Sequence, residues 1–415
     1  MSTMPIHQHS PVVVALTIIS VTSALASAIG SSTIIATILR SSQKLANPYR
    51  RIIFGMSCFD ILQSLSFVMA VFRTDPVEKS WHALGNPTSC QLFGFFLFAG
   101  HNGTLFYSLS LNIFYLCLVK YRVKRDNFCH RIEPFLHGVP IAWAFTSASY
   151  IVAAGYMNPG ASPDRECFIR HYPEGCLHDR NIECIRGQHA DLFRVLFHFG
   201  PIILTYLGII LTLGILWHSV NSLERRMERH RMRSSVVSVS ALRRKTSRTQ
   251  SDAASIPRSG LELNTVETIE EKPNKIWQTM VTSRIKGSNT NSHKPFQRSL
   301  RRRKKSRPFL VQAKWYSIVF FIVYLFPVIV TVRDLARMPH SVILLFLAKV
   351  FNPLQGALNI IVYTRPHVAN ELSRNPNMSW WGAFKKVIKS GGDDGAERTN
   401  RLRRGSAVPV PVAPC

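Results

Sequence analysis

Seven blocks of apolar residues punctuate the chain, running roughly Val12 to Leu39, Ile52 to Phe72, Leu92 to Val119, Phe135 to Tyr156, Leu192 to Trp217, Trp315 to Val332 and Ser341 to Tyr363. A helix rises about 1.5 Å per residue, so a hydrocarbon layer of roughly 30 Å takes about 20 such residues. In lipid every backbone amide must find its partner within the protein, which leaves helices or closed barrels. Barrel strands alternate polar and apolar positions, and these runs do not. The pattern predicts an all-α membrane protein, a seven-transmembrane helix bundle. The first block reads as a membrane helix rather than a cleaved signal peptide, because it has no basic n-region and is about twice the usual h-region length. After Pro376 the period changes. Trp380, Phe384, Val387 and Ile388 share one helical face opposite Lys385, Lys386 and Lys389, which predicts an amphipathic helix over about 378–390 on the inner membrane surface.

Composition alone is contradictory: 46% of residues are apolar, yet the formal charge is +28. The conflict disappears because the two kinds of residue occupy different blocks. Lys and Arg number four, five, twenty-three and nine after the first, third, fifth and seventh blocks, against two, four and two after the second, fourth and sixth. Positive residues resist translocation, and the short loops carry that signal by themselves. Arg40, Lys44, Arg50 and Arg51 follow the first block; Lys120, Arg122, Lys124 and Arg125 follow the third. The expected topology is therefore a multi-pass membrane protein with its N-terminus outside and its tail inside. Residues 1–11 form a short extracellular N-terminus and 12–217 hold helices one to five. Residues 218–314 form a long basic third cytoplasmic loop, 315–363 hold helices six and seven, and 364–415 form a cytoplasmic tail.

Cys90, Cys167, Cys176 and Cys184 fall on the outer side of that topology, where disulfides persist. Four cysteines allow three connectivities. Cys90–Cys167 with Cys176–Cys184 is preferred, because a bridge from helix three would hold the second outer loop over the bundle as a lid. Cys58, Cys117, Cys129 and Cys415 fall in the membrane or cytosol and are expected to be reduced.

The third cytoplasmic loop is rich in Ser, Arg and Lys and poor in aromatics, so its centre cannot bury enough apolar surface to fold. Its ends are expected to extend helices five and six. Thr246 and Ser247 follow Arg243-Arg244-Lys245, and Ser406 follows Arg403-Arg404; these are candidate sites for a basophilic kinase, whose phosphate would put negative charge into a basic tract. The same tract suits anionic membrane lipids. No Gly-rich phosphate loop, metal-ligand cluster or nucleophile elbow occurs, so no enzyme activity, metal or cofactor is expected. The basic runs lack interleaved aromatics, which argues against a nucleic-acid partner.

Individual residues sharpen the picture. Asn47-Pro48-Tyr49-Arg50-Arg51 opens helix two and leads to Asp60, an acid in mid-span; Trp143 stands midway along helix four; helix seven carries Asn352-Pro353. This set resembles rhodopsin-like G-protein-coupled receptors. Gln355-Gly356, followed after six residues by Tyr363, is similar to the pattern of cyclic-AMP-type and secretin-type receptors. The chain departs from the rhodopsin-like pattern at the inner end of helix three, with Lys120-Tyr121-Arg122, and before the helix-six proline, with Tyr324-Leu325-Phe326-Pro327.

The resemblance implies a plasma-membrane location, an extracellular ligand, a heterotrimeric G protein as partner and arrestin-like proteins beside the kinase. It places the ligand between helices three, five, six and seven, with His101, Arg194, Tyr206 and Tyr324 as candidate contacts. Lys120, Arg122, Arg225, Arg226 and Lys314 become the candidate coupling surface. It further implies a sodium site at Asp60, Thr104 and Asn352; here the Lys349 ammonium is expected to replace the ion and pair with Asp60, the alternative being Lys349 in a water-filled cavity with Asp60 simply hydrogen-bonded. A charge at mid-bilayer is costly unless it finds such a partner. Pro140, Pro201, Pro327 and Pro353 interrupt four spans and predict kinks. Two rival readings remain: a transporter or channel, which calls for inverted repeats and a polar file, and a light receptor with retinal on Lys349. The latter lacks a helix-three carboxylate near Cys90.

Overall fold

The computed structural model describes residues 11–69, 86–121, 123, 125–160, 167–173, 176, 183–222, 225, 294–336, 338 and 341–391. Two compact units divide the chain, Met1–Leu216 with Pro308–Cys415, and Trp217–Arg307. Among the described residues seven helices are long and apolar enough to cross a membrane. They are α1 (Pro11–Arg40), α2 (Pro48–Val68), α3 (Pro87–Tyr121), α4 (Arg125–Ala153), α5 (Ala190–Ser222), α6 (Lys294–Leu335, apolar over Pro308–Leu335) and α7 (Val342–Arg374). A short α8 (Trp380–Ser390) follows. Between α4 and α5 lie two strands, β1 (Met157–Asn158) and β2 (Phe168–Ile169). The protein is an all-α, multi-pass membrane protein with a seven-helix bundle. In the second unit the described residues 217–222, 225 and 294–307 are helical.

Several helices overrun their apolar blocks. α4 starts at Arg125, α6 at Lys294, and α7 continues to Arg374. The third-loop segment expected over 218–314 is thus partly helix at both ends. Apolar blocks mark the thickness of hydrocarbon, whereas a helix ends where its backbone finds caps. Asn47 accepts from the Tyr49 amide ahead of Pro48, and Asn86 with Ser89 forms a capping box ahead of Pro87. Ser379 caps α8 by accepting from the Gly382 amide at 3.1 Å. Gly391 ends α8 at φ 71°, a left-handed turn that suits glycine.

Small residues set the helix spacing, as is usual where lipid removes the hydrophobic incentive to pack. Gly356 in α7 donates its amide to Ser27 Oγ of α1 at 2.9 Å. A Cβ on Gly30 would stand 2.6 Å from the Gly356 carbonyl, and one on Gly356 would collide with Ser31 Oγ and the Ser27 carbonyl. Gly356→Ala is therefore expected to push α1 from α7 and to destabilise the fold by about 2 kcal/mol. Thermal unfolding of purified protein measures this, with Gly138→Ala, where a Cβ meets nothing within 4 Å, as the neutral control.

Disulfides join Cys90 to Cys167 and Cys176 to Cys184, the preferred connectivity. The first ties the β1–β2 hairpin to the start of α3. Met157, Ile169, Cys90, Cys167, Phe98, Ala148 and Ile151 pack there in one buried cluster. Cys58 and Cys117 are free thiols, as expected, but Cys129 is disulfide-bonded. Loop assignment says which side a thiol is on, not what it meets.

The four prolines fall within helices. Pro140 lies inside α4 and Pro327 inside α6, Pro353 sits in a 3-10 turn within α7, and a π-helical turn over Val195–Phe199 precedes Pro201 in α5. α8 packs part of its surface on α7. Ala383 and Val387 pack on Val368 of α7, with Phe384 against them, and Lys386 turns back to pair with Glu371. Trp381 is 65% exposed.

Candidate functional site

Within the bundle, a cavity opens beneath the hairpin. About 760 Å³ of atom-free space, mouth included, is bounded by residues of α2, α3, α5, α6 and α7, with Phe168 of β2 above. Its polar lining is Gln63, His101, His198, Thr331, Lys349 and Asn352. No aspartate or glutamate lines it among the described residues. His101 and His198 are 4% and 6% exposed, with ring centroids 4.8 Å apart. Phe168 packs edge-on to His198 at 4.7 Å, and Tyr324 edge-on to His101 at 5.3 Å. His101 Nε2 and His198 Nδ1 make no hydrogen bond among the described residues.

Deeper in the bundle, Asp60 is 2% exposed and gathers four helices. Its Oδ1 accepts from Thr104 of α3 at 3.2 Å. Its Oδ2 accepts from Ser31 of α1 at 3.3 Å and from Asn359 Nδ2 of α7 at 3.0 Å. Between this cluster and the cavity, Gln63 Nε2 reaches Asn352 Oδ1 at 3.5 Å, the outer limit of a hydrogen bond. Tyr324 OH donates to Gln355 Oε1 at 2.9 Å, joining α6 to α7.

At the end of the bundle away from the β1–β2 hairpin, α6 is held by a third polar layer. Tyr49 OH lies 3.3 Å from Tyr316 OH, Ser317 Oγ donates to Asn112 Oδ1 at 3.1 Å, and Gln312 Nε2 donates to the Val362 carbonyl at 2.6 Å. The Tyr49 ring sits among Phe114, Tyr115 and Tyr363. Nearby, Arg51 makes two bonds of 2.5 and 2.6 Å to Glu133 of α4. Bidentate geometry of this kind fixes orientation as well as charge.

Of the four proposed ligand contacts, only His101 lines the cavity. Arg194 pairs with Asp334 at 3.1 Å and Asp191 at 3.5 Å, so two nearby carboxylates occupy the guanidinium. Tyr206 packs on Phe320 and Phe321, and Tyr324 is buried under the cavity floor against Gln355. Thr104 joins Asp60 as anticipated, Lys349 lines the cavity, and Asn352 meets Gln63. The reason is helical register. Asn359, ten residues beyond Lys349 and about 15 Å further along a helix, is the α7 residue level with Asp60.

Lys120 and Arg225 are exposed and Lys314 is half-buried. Arg122, Arg226, Thr246, Ser247 and Ser406 lie outside the described residues. Reasoning from the sequence missed His198, Gln63, Ser31 and Asn359. Signals for them existed: His198 interrupts the apolar run Val195-Leu196-Phe197, Gln63 is one turn from Asp60, and Asn359 is two turns from Asn352. A scan against protein-family models finds no match for this chain, and neither does a search of curated proteins.

Proposed function

We propose that this protein is a G-protein-coupled receptor of the plasma membrane, with its N-terminus outside. The observation that carries the reading is the stack of three polar layers through one bundle: the cavity under the tethered hairpin, the Asp60 cluster, and the bonds that hold α6 at the far end. In this reading a ligand enters from the disulfide side and shifts a two-state bundle. The Pro327 and Pro353 interruptions provide places for α6 and α7 to bend. Release of Tyr316, Ser317 and Gln312 from α2, α3 and α7 opens a crevice for a heterotrimeric G protein between basic segments. Lys120, Arg122, Arg225, Arg226 and Lys314 offer charge to that partner. Kinase action at Thr246, Ser247 or Ser406 and recruitment of arrestin-like proteins belong to the same proposal.

The test is guanine-nucleotide exchange on a panel of heterotrimers reconstituted with the purified chain. Ser317→Ala and Gln312→Ala each remove one bond that closes α6. Each is expected to raise ligand-independent exchange by roughly threefold to tenfold, the population shift that one net hydrogen bond supports. If no heterotrimer in the panel responds to either variant, the receptor reading is overturned. Ion currents from the reconstituted chain would favour a channel instead.

A further inference from the structure

We propose that the cavity beneath the β1–β2 hairpin binds an organic monocarboxylate, its carboxylate held by His101, His198 and Lys349 and its apolar body lying on Phe67, Leu97 and Leu345. The assignment rests on the receptor reading for its physiological meaning, but not for the binding itself. Three observations carry it. The first is the sign of the lining: one ammonium and two imidazoles face the cavity, with no carboxylate among its described residues. An amine would bring a second positive charge beside Lys349, whereas an anion is complementary to this lining. The second is the histidine pair. Each ring is more than nine-tenths buried, lines the cavity, and keeps one nitrogen without a hydrogen bond among the described residues.

Buried polar atoms of this kind call for a partner, and two adjacent imidazoles on α3 and α5 suit the two oxygens of one carboxylate. Lys349 has three donors, so an interaction with another group leaves capacity for the ligand. The third is the distribution of polarity. Beyond these groups and the Gln63, Asn352 and Thr331 side chains, the wall is hydrocarbon and aromatic ring. A polyol needs donors and acceptors all round, and a multiply charged phosphate needs more cations. A single acidic head on an apolar body matches a wall that is polar on one side only.

The full chain in lipid nanodiscs is the material for the test. Straight-chain and aryl monocarboxylates of graded length are compared with their primary amides and with the corresponding amines. Direct binding and thermal unfolding are the readouts. The expected result is saturable binding and a raised midpoint for acids of one size range, with weaker binding of the amide and none of the amine. His198→Phe keeps a ring against Phe168 while removing the nitrogens, and Lys349→Met keeps the aliphatic stem. Each is expected to weaken the acid by about tenfold or more, since each removes a charge-assisted or buried hydrogen bond.

The inference is overturned if no acid binds, if amide or amine binds as well as the acid, or if both variants bind the acid unchanged. Stabilisation by Zn²⁺ alone, reversed by chelation, would also overturn it in favour of a metal on the histidine pair. Nucleotide exchange separates the two proposals. An acid that binds without driving exchange on any heterotrimer leaves the ligand class standing and removes the receptor reading. Exchange driven only by an amine or a neutral compound does the reverse.

Discussion

Replacing Cys90 with serine is expected to lower the stability of the fold more than any other single change outside the membrane-buried polar cluster. The Cys90–Cys167 bridge closes a segment of 77 residues, whereas Cys176–Cys184 spans 8. Loop-closure entropy assigns about 4.5 kcal/mol to the first and about 2.5 kcal/mol to the second. Both are upper figures, because a bilayer already limits where the ends of α3 and α4 can go. Their order is not affected, since only the longer bridge also pins a buried cluster: Met157, Ile169 and Cys167 would lose their hold on Phe98 and Ala99. Cys90→Ser should therefore loosen the roof over the cavity, with a drop in thermal midpoint and in cell-surface expression. Cys184→Ser should show a clearly smaller drop in both. Equal effects from the two variants would mean that the hairpin is held by its packing rather than by its tether.

Asp60→Ala is the second large effect, and it divides between stability and function. The carboxylate accepts from Ser31, Thr104 and Asn359, so its loss leaves three buried donors on three helices. The hydroxyls of Ser31 and Thr104 are able to turn to carbonyls of their own helices. The Asn359 amide loses its carboxylate acceptor, and a buried donor left unmade costs about 1–3 kcal/mol. Removal of the side chain itself adds a cavity between α2 and α7. The combined loss is expected to reach about 3–4 kcal/mol. Asp60→Asn offers one oxygen where the native group offers two, so it cannot serve all three donors and should fall between alanine and the native chain. Thermal unfolding gives the stability part. Under the receptor reading, both variants should also uncouple ligand binding from nucleotide exchange, because the cluster joins the cavity to the α6 closure. An Asp60→Ala chain that exchanges normally would remove Asp60 from the switch.

The contrast between these two residues shows where one-dimensional reasoning stopped. Asp60 was recognisable because an ionisable group in an apolar run needs a polar neighbour. Lys349 was recognisable for the same reason, and joining the two was the natural step. In three dimensions α7 brings Asn359 to the level of Asp60 and leaves Lys349 in the cavity with His101 and His198. The two basic guanidiniums behaved alike. Arg194 is taken up by Asp334, 140 positions away, and Arg51 by Glu133, 82 positions away. Neither partner carries a local signal.

What the order of residues determined by itself was everything that depends on the solvent. Blocks of hydrocarbon side chains long enough to cross a bilayer set the number of helices. Proline and capping residues set where several of them start, and Trp380, Phe384 and Val387 marked α8. These properties are local, because a segment meets lipid or water whichever neighbours it has. Tertiary structure alone decided which faces of α2, α3, α5 and α7 meet, and at what height. A polar group in a membrane interior is satisfied by whatever another helix delivers to its level. That delivery depends on register, kink and close contacts such as Gly30 with Gly356, none of which is written in a single span.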